Sequence, residues 1–171
     1  MKNKTICWVA GALLAFLPAA SFSQEPANKI FDAATTVKVF YAFHFSHNFD
    51  FSERAIKLRH RWLDENLYNL LLAEWKKSNS SANQDEIPDL DGDPFTNSQD
   101  PPTNFRVGKS TQDEKSASVI VFFIWKEKGK VVEERQVEVK LTKSATGWKI
   151  ANIISGKEED DDLLRLLKRS G

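Results

Sequence analysis

Runs of β-branched and aromatic residues at Ser118–Trp125, Gln136–Thr142 and Trp148–Ser155, parted by short turns, most constrain what this chain can fold into. Val137, Val139 and Leu141 share one parity and Glu138 and Lys140 the other, the alternation of a strand with one buried face. Ser118–Trp125 is apolar on both parities, which predicts a central strand covered on both faces. The turn Lys126–Lys130 contains Gly129, and Ser144–Gly147 is the next turn. Phe105–Lys109 reads as a further strand ahead of them. Consecutive strands with short connections predict an antiparallel meander of about four strands.

Helical spacing fills the part before the sheet. Val37, Phe40, Tyr41 and His44 recur on one face, with Asp32 or Thr35 as the cap and Asn48 and Asp50 as the end. Ser52 can cap a second helical region, where Leu63, Leu67, Leu70, Leu71 and Trp75 form an apolar stripe. That region reads as two helices breaking near Arg61, the last ending at Ser78. Asp160–Arg169 reads as a short C-terminal helix, with acids at its start and Lys168 and Arg169 at its end to complement the helix dipole. The fold class expected is α+β, with N-terminal helices packed on the sheet. Residues 31–171 form a single domain, interrupted by a Ser-, Asn-, Asp- and Pro-rich loop over 78–104, a length that is usually functional or disordered.

The first residues have the order of a cleavable export signal. Lys2 and Lys4 precede an apolar stretch from Ile6 to Ala20, and Ser21 and Ser23 occupy the −3 and −1 positions before Gln24. The stretch is shorter than the roughly 20 apolar residues a membrane span needs. The expectation is a signal peptide over 1–23, a polar tail over 24–30, and a periplasmic or secreted mature domain. Cleavage removes Cys7, the single cysteine, so disulfides, thiol catalysis and Cys-ligated zinc are excluded for the mature chain. The 24 Lys and Arg residues balance 24 Asp and Glu and are mixed with them, so the chain lacks the basic footprint of a nucleic-acid binder.

The stretch Asp93-Pro94-Phe95-Thr96-Asn97-Ser98-Gln99-Asp100, followed by Pro101 and Pro102, resembles the motif of a bacterial exported family, domain of unknown function 3828. Gly147-Trp148-Lys149-Ile150-Ala151-Asn152-Ile153 is similar to that family's last strand. The order of elements resembles the nuclear transport factor 2-like cone, in which a curved sheet wraps a long helix. The resemblance covers Val37 to Gly171. It implies the cone fold and supplies no activity, because such folds host enzymes, binders and partner proteins alike.

The acidic loop is the strongest candidate for chemistry. Asp89, Asp91, Asp93 and Asp100 have the spacing of oxygen ligands in a helix-loop-helix calcium site. Pro94 stands where that template needs glycine, and Asp100 where it needs glutamate. Calcium is the one cofactor considered; the alternative is a solvated loop with Asx-turns. His44 and His47 could share a helix face and a metal, although packing or surface roles are more common for such a pair. Tyr41, His44, Arg106, Trp125 and Arg135 are the candidate ligand-binding residues of a pocket inside the fold. Within it His44 would hydrogen-bond Tyr41 or a strand residue, and Asp50 is a further candidate for acid–base work. Arg135 has the parity of Val137 and Val139, and if buried on the core side it would need a partner, Glu133 or Asp100; it reads more simply as a strand-end arginine in solvent. Phe43, Phe45 and Phe49 cannot share one helix face, so one of them is exposed or marks an early helix end.

Three function classes follow, in order. The first is a non-catalytic periplasmic binding or partner protein, an immunity-type inhibitor being one form. The second is a binder of a small apolar molecule, which needs an aromatic-lined cavity of roughly 300 Å³ or more. The third is an enzyme with a His or Asp base in that cavity. No phosphate loop or nucleophile elbow is present in the sequence. Pairing into a homodimer through the outer face of the sheet is what the cone resemblance implies.

Overall fold

The computed structural model describes residues 31–47, 49–80, 90, 92–158 and 161–169. The expected export segment and tail lie outside them, as do Asp89 and Asp91. Among the described residues the elements run α1 (Ala33–Phe45), α2 (Glu53–Arg59), a 3-10 turn (His60–Trp62), α3 (Glu65–Ser78), β1 (Asn104–Gln112), β2 (Ser116–Glu127), β3 (Lys130–Ser144), β4 (Gly147–Ile154) and α4 (Leu163–Arg169). The fold is α+β. Its sheet has the order β1-β2-β3-β4, with every neighbouring pair antiparallel.

Each early helix starts where a short polar side chain can accept an orphan backbone N–H. Asp32 accepts from Thr35 N at 2.7 Å, Ser52 from Ala55 N at 3.1 Å and Asp64 from Leu67 N at 2.7 Å. Such caps contribute about 1 kcal/mol each. The second helical region breaks at His60–Trp62, where the sequence places a break near Arg61. The break lets Leu63 bridge to Ile150, and Asp64 N donates to Ile150 O at 2.9 Å. The turn between α2 and α3 is thereby docked on β4.

The strands extend beyond the spans their side chains announce. β3 begins at Lys130 instead of Gln136, because exposed Lys130–Glu134 pair through backbone with β2 and need no apolar alternation. β1 likewise continues through Ser110, Thr111 and Gln112. The helices bury one face of the sheet: Val119, Val121, Phe123, Val137, Val139, Leu141, Ile150 and Ile153 join Val37, Phe40, Tyr41, Leu67 and Leu71 in one core. The expectation that β2 is covered on both faces does not hold. Ile120, Phe122 and Ile124 have the opposite parity, are only half-buried and stand outside that core.

The rings before α2 pack tightly. Phe40 meets Tyr41, Trp62 and Phe95 edge-on with centroids 4.9, 6.0 and 5.3 Å apart. Tyr41 meets Phe123 at 5.1 Å. Phe43, Phe45 and Phe49 are all half-buried, because α1 ends at Phe45 and the chain brings Phe49 back against it at 5.2 Å. None of the three is exposed.

Candidate functional site

The segment expected as a structureless loop contains an ordered turn. Asp93 N donates to Ser98 O at 3.0 Å, closing the turn as a bridge between those residues. Gly92 enters it at a φ of +107°, and a Cβ there would lie 2.5 Å from Ser98 O. Phe95 N donates to Asp93 Oδ1 at 3.3 Å, and Tyr41 Oη donates to Phe95 O at 2.8 Å. Phe95 is buried and inserts its ring among Phe40, His44 and the Arg59 guanidinium.

A buried chain of hydrogen bonds runs from α2 through α1 into this turn. Arg59 Nε donates to His44 Nδ1 at 2.9 Å, and His44 Nε2 meets Asp93 Oδ2 at 2.9 Å. Thr96 Oγ1 donates to the same carboxylate oxygen at 2.5 Å, and Ser98 Oγ lies 2.7 Å from Thr96 Oγ1. Exposure is 1% at Arg59, 0% at His44, 5% at Asp93, 0% at Thr96 and 9% at Ser98.

The chemistry of the groups sets the polarity of this chain. Arginine can only donate, so His44 Nδ1 accepts and the ring proton sits on Nε2. Nε2–H then donates to the Asp93 carboxylate. Thr96 commits its proton to Asp93, so Ser98 is the donor to Thr96. Burial holds the Arg59 guanidinium below its ordinary value, and the negative charges of Asp93 and Asp50 oppose that shift. The Tyr41 phenol is pushed well above its usual value by burial and then by Asp93. No buried side-chain polar atom among the described residues lacks a partner.

The outward half of the turn forms one wall of a cleft. Asn97, Ser98, Gln99 and Asp100 face Trp125, Glu133 and Arg135 across a cleft of about 340 Å³. Trp125 and Arg135 share the parity of the buried residues but lie past the end of the helical cover, where the turn takes its place. Arg135 donates to Asn97 O and to Glu133 Oε1, both at 2.7 Å, and its guanidinium carbon lies 5.1 Å from the Trp125 ring centre. Trp125 Nε1 donates to Asp100 O at 3.0 Å, and Asn97 Nδ2 to Ser155 Oγ at 2.6 Å. The turn is thus fastened to α1, β2, β3 and the end of β4.

The predicted ligand residues therefore separate. Trp125 and Arg135 line the cleft. Tyr41 and His44 are in the core behind the turn, and neither bonds the partner expected: Tyr41 reaches Phe95 O, and His44 reaches Asp93 and Arg59 instead of Tyr41 or a strand residue. Arg106 has the opposite strand parity, where it pairs with Glu134 at 3.5 Å and lies 4.0 Å over the Phe122 ring. Arg135 pairs with Glu133, one of its two expected partners. His44 and His47 do not converge, since His47 is exposed and Nδ1 donates to Phe43 O at 2.8 Å.

Of the candidate calcium ligands, Asp93 points inward and already accepts from Phe95, Thr96 and His44, whereas Asp100 lies at the cleft. Among the described residues no group of three or more His, Cys, Asp or Glu converges on a metal position. No described helix is long and apolar enough to cross a membrane.

Sequence reasoning missed Arg59, Thr96, Ser98 and Gln99 as site residues and named Glu133 only as a partner for Arg135. The available signal was the Asp93–Asp100 motif, in which a buried phenylalanine and hydroxyl side chains interleave with polar ones. No family model, curated protein or solved structure matches the chain.

Proposed function

We propose that this chain is an exported, non-catalytic binding protein of nuclear transport factor 2-like cone fold, and that it recognises a protein partner at the cleft between Asn97–Asp100 and Trp125. One observation carries the reading. The Asp93–Asp100 motif divides into inward residues, Asp93, Phe95 and Thr96, locked into the core, and outward residues presented on an open cleft with a tryptophan. A rigid turn beside an aromatic side chain is the arrangement of a recognition surface, where Trp anchors dominate binding energy. The resemblance of this motif to an exported family supports the compartment.

The interior favours binding over catalysis. Both ring nitrogens of His44 are engaged, so it has no nitrogen with which to take a substrate proton. Phe40, Tyr41, Phe95 and Phe123 fill the space where an aromatic-lined cavity would open.

The test is partner capture from the periplasm of the native host, followed by calorimetry with the captured protein. Trp125→Ala is expected to weaken binding about tenfold or more, with far-UV circular dichroism unchanged. Equal affinity in the folded variant rejects the cleft as the recognition site.

A further inference from the structure

The cleft presents an uneven set of charges, Asp100 and Glu133 against Arg135. Part of its donor set is engaged within the protein: Trp125 Nε1–H to Asp100 O, one Asn97 Nδ2 proton to Ser155, and two of the Arg135 protons to Asn97 O and Glu133. Ser98 belongs to the same pattern for a deeper reason. The buried bonds converge on the Asp93 carboxylate, and because Thr96 spends its proton there, the Ser98 proton is directed inward to Thr96. What Ser98 can offer a ligand is an acceptor lone pair. The Asp100 side chain is exposed at the cleft, and among the described residues none bonds its carboxylate. The charge of Arg135 is matched by Glu133 at 2.7 Å, which leaves Asp100 as the unmatched charge of the cleft. The Trp125 ring already holds one guanidinium at 5.1 Å, so its face attracts cations in this setting.

We infer that the cleft takes a cationic hydrogen-bond donor, a lysine or arginine side chain of the partner, with Asp100 and Ser98 accepting and Trp125 packing against its alkyl stem. This rests on the reading of the cleft as the recognition site. An acidic group would meet two carboxylates, Asp100 and Glu133, against the one guanidinium of Arg135, and desolvating Asp100 without a partner is costly.

The probes are Nα-acetyl-lysinamide and Nα-acetyl-argininamide, titrated into the isotope-labelled mature protein. The norleucine and glutamate amides serve as controls. The expected result is saturable shifts of the Trp125 indole N–H and the 97–100 amides with the two cationic probes alone. Asp100→Asn should weaken them about three- to fivefold, the scale of an exposed charge pair. Absence of saturable shifts, equal shifts with norleucine or glutamate, or indifference to Asp100→Asn overturns the inference. The two claims fail separately. A partner lost on Trp125→Ala while the cationic probes do nothing keeps the recognition site and removes only its preference for a cation. A partner retained on Trp125→Ala removes the site itself.

Discussion

At Tyr41 a single hydroxyl joins the core to the turn. Its proton satisfies Phe95 O inside the protein, and Tyr41→Phe leaves that carbonyl unpaired at a cost of about 1–3 kcal/mol. The same phenol sets an alkaline limit. Burial raises its pKa above the ordinary 10.0, so the folded state holds a proton that the unfolded chain releases. The stability this provides is fully present below that value and is lost as pH rises from there towards the folded pKa. Urea midpoints measured at neutral pH and above about pH 10 should show wild type losing stability more steeply than Tyr41→Phe. Equal slopes would mean that another group governs the alkaline limb. Arg59 shows why individual residues were hard to read. It lies between Leu58 and His60 in a short, charged helix, and arginine is almost never fully buried unless paired. Its described partners, His44 and the Ala55 carbonyl, become visible only when α1 and α2 are packed together.

The elements were legible where side chains carry the period. The α1 face through Val37, Phe40, Tyr41 and His44, the break between α2 and α3, and the alternation of Val137, Val139 and Leu141 all appear as read. The sequence was less informative where backbone pairing alone extends a strand, as over Lys130–Arg135. For the Asp93–Ser98 turn it offered Asx-turns, and Phe95 N does donate to Asp93 Oδ1, but the order of the turn comes from contacts with α1 rather than from any period. Gly92 tests that element. Its φ of +107° and the 2.5 Å that would separate a Cβ from Ser98 O leave no room for a side chain. Gly92→Ala should cost about 1–3 kcal/mol through strained backbone, and chemical-shift changes should concentrate at Asn97–Asp100 and Trp125. A neutral substitution would show that the turn is not fixed at that point.

Across the whole molecule, one face of the sheet carries helices and the end of that face carries the turn. The polar chain from Arg59 to Ser98 crosses the core between them and joins α2, α1 and the turn that lines the cleft. Buried polar networks are destabilising when half satisfied and specify a single arrangement when complete. The fold class could be read from the strand and helix order. The candidate site could be read only in part, because Trp125 and Arg135 sit on strands while their partners lie in a motif whose spacing first suggests a cation loop. Side chains of Asp93 and Asp100 that look equivalent in sequence face opposite ways in space.

The donation from His44 to Asp93 is the central claim, since it ties the turn that lines the cleft to α1 and, through Arg59, to α2. It is tested most directly by nitrogen-resolved magnetic resonance of the histidine rings, of which the sequence has three. The structure requires His44 to carry its proton on Nε2, in slow exchange with water, with Nδ1 unprotonated and accepting from Arg59. A proton on Nδ1, or a freely rotating ring, would contradict the buried bonds that hold the turn.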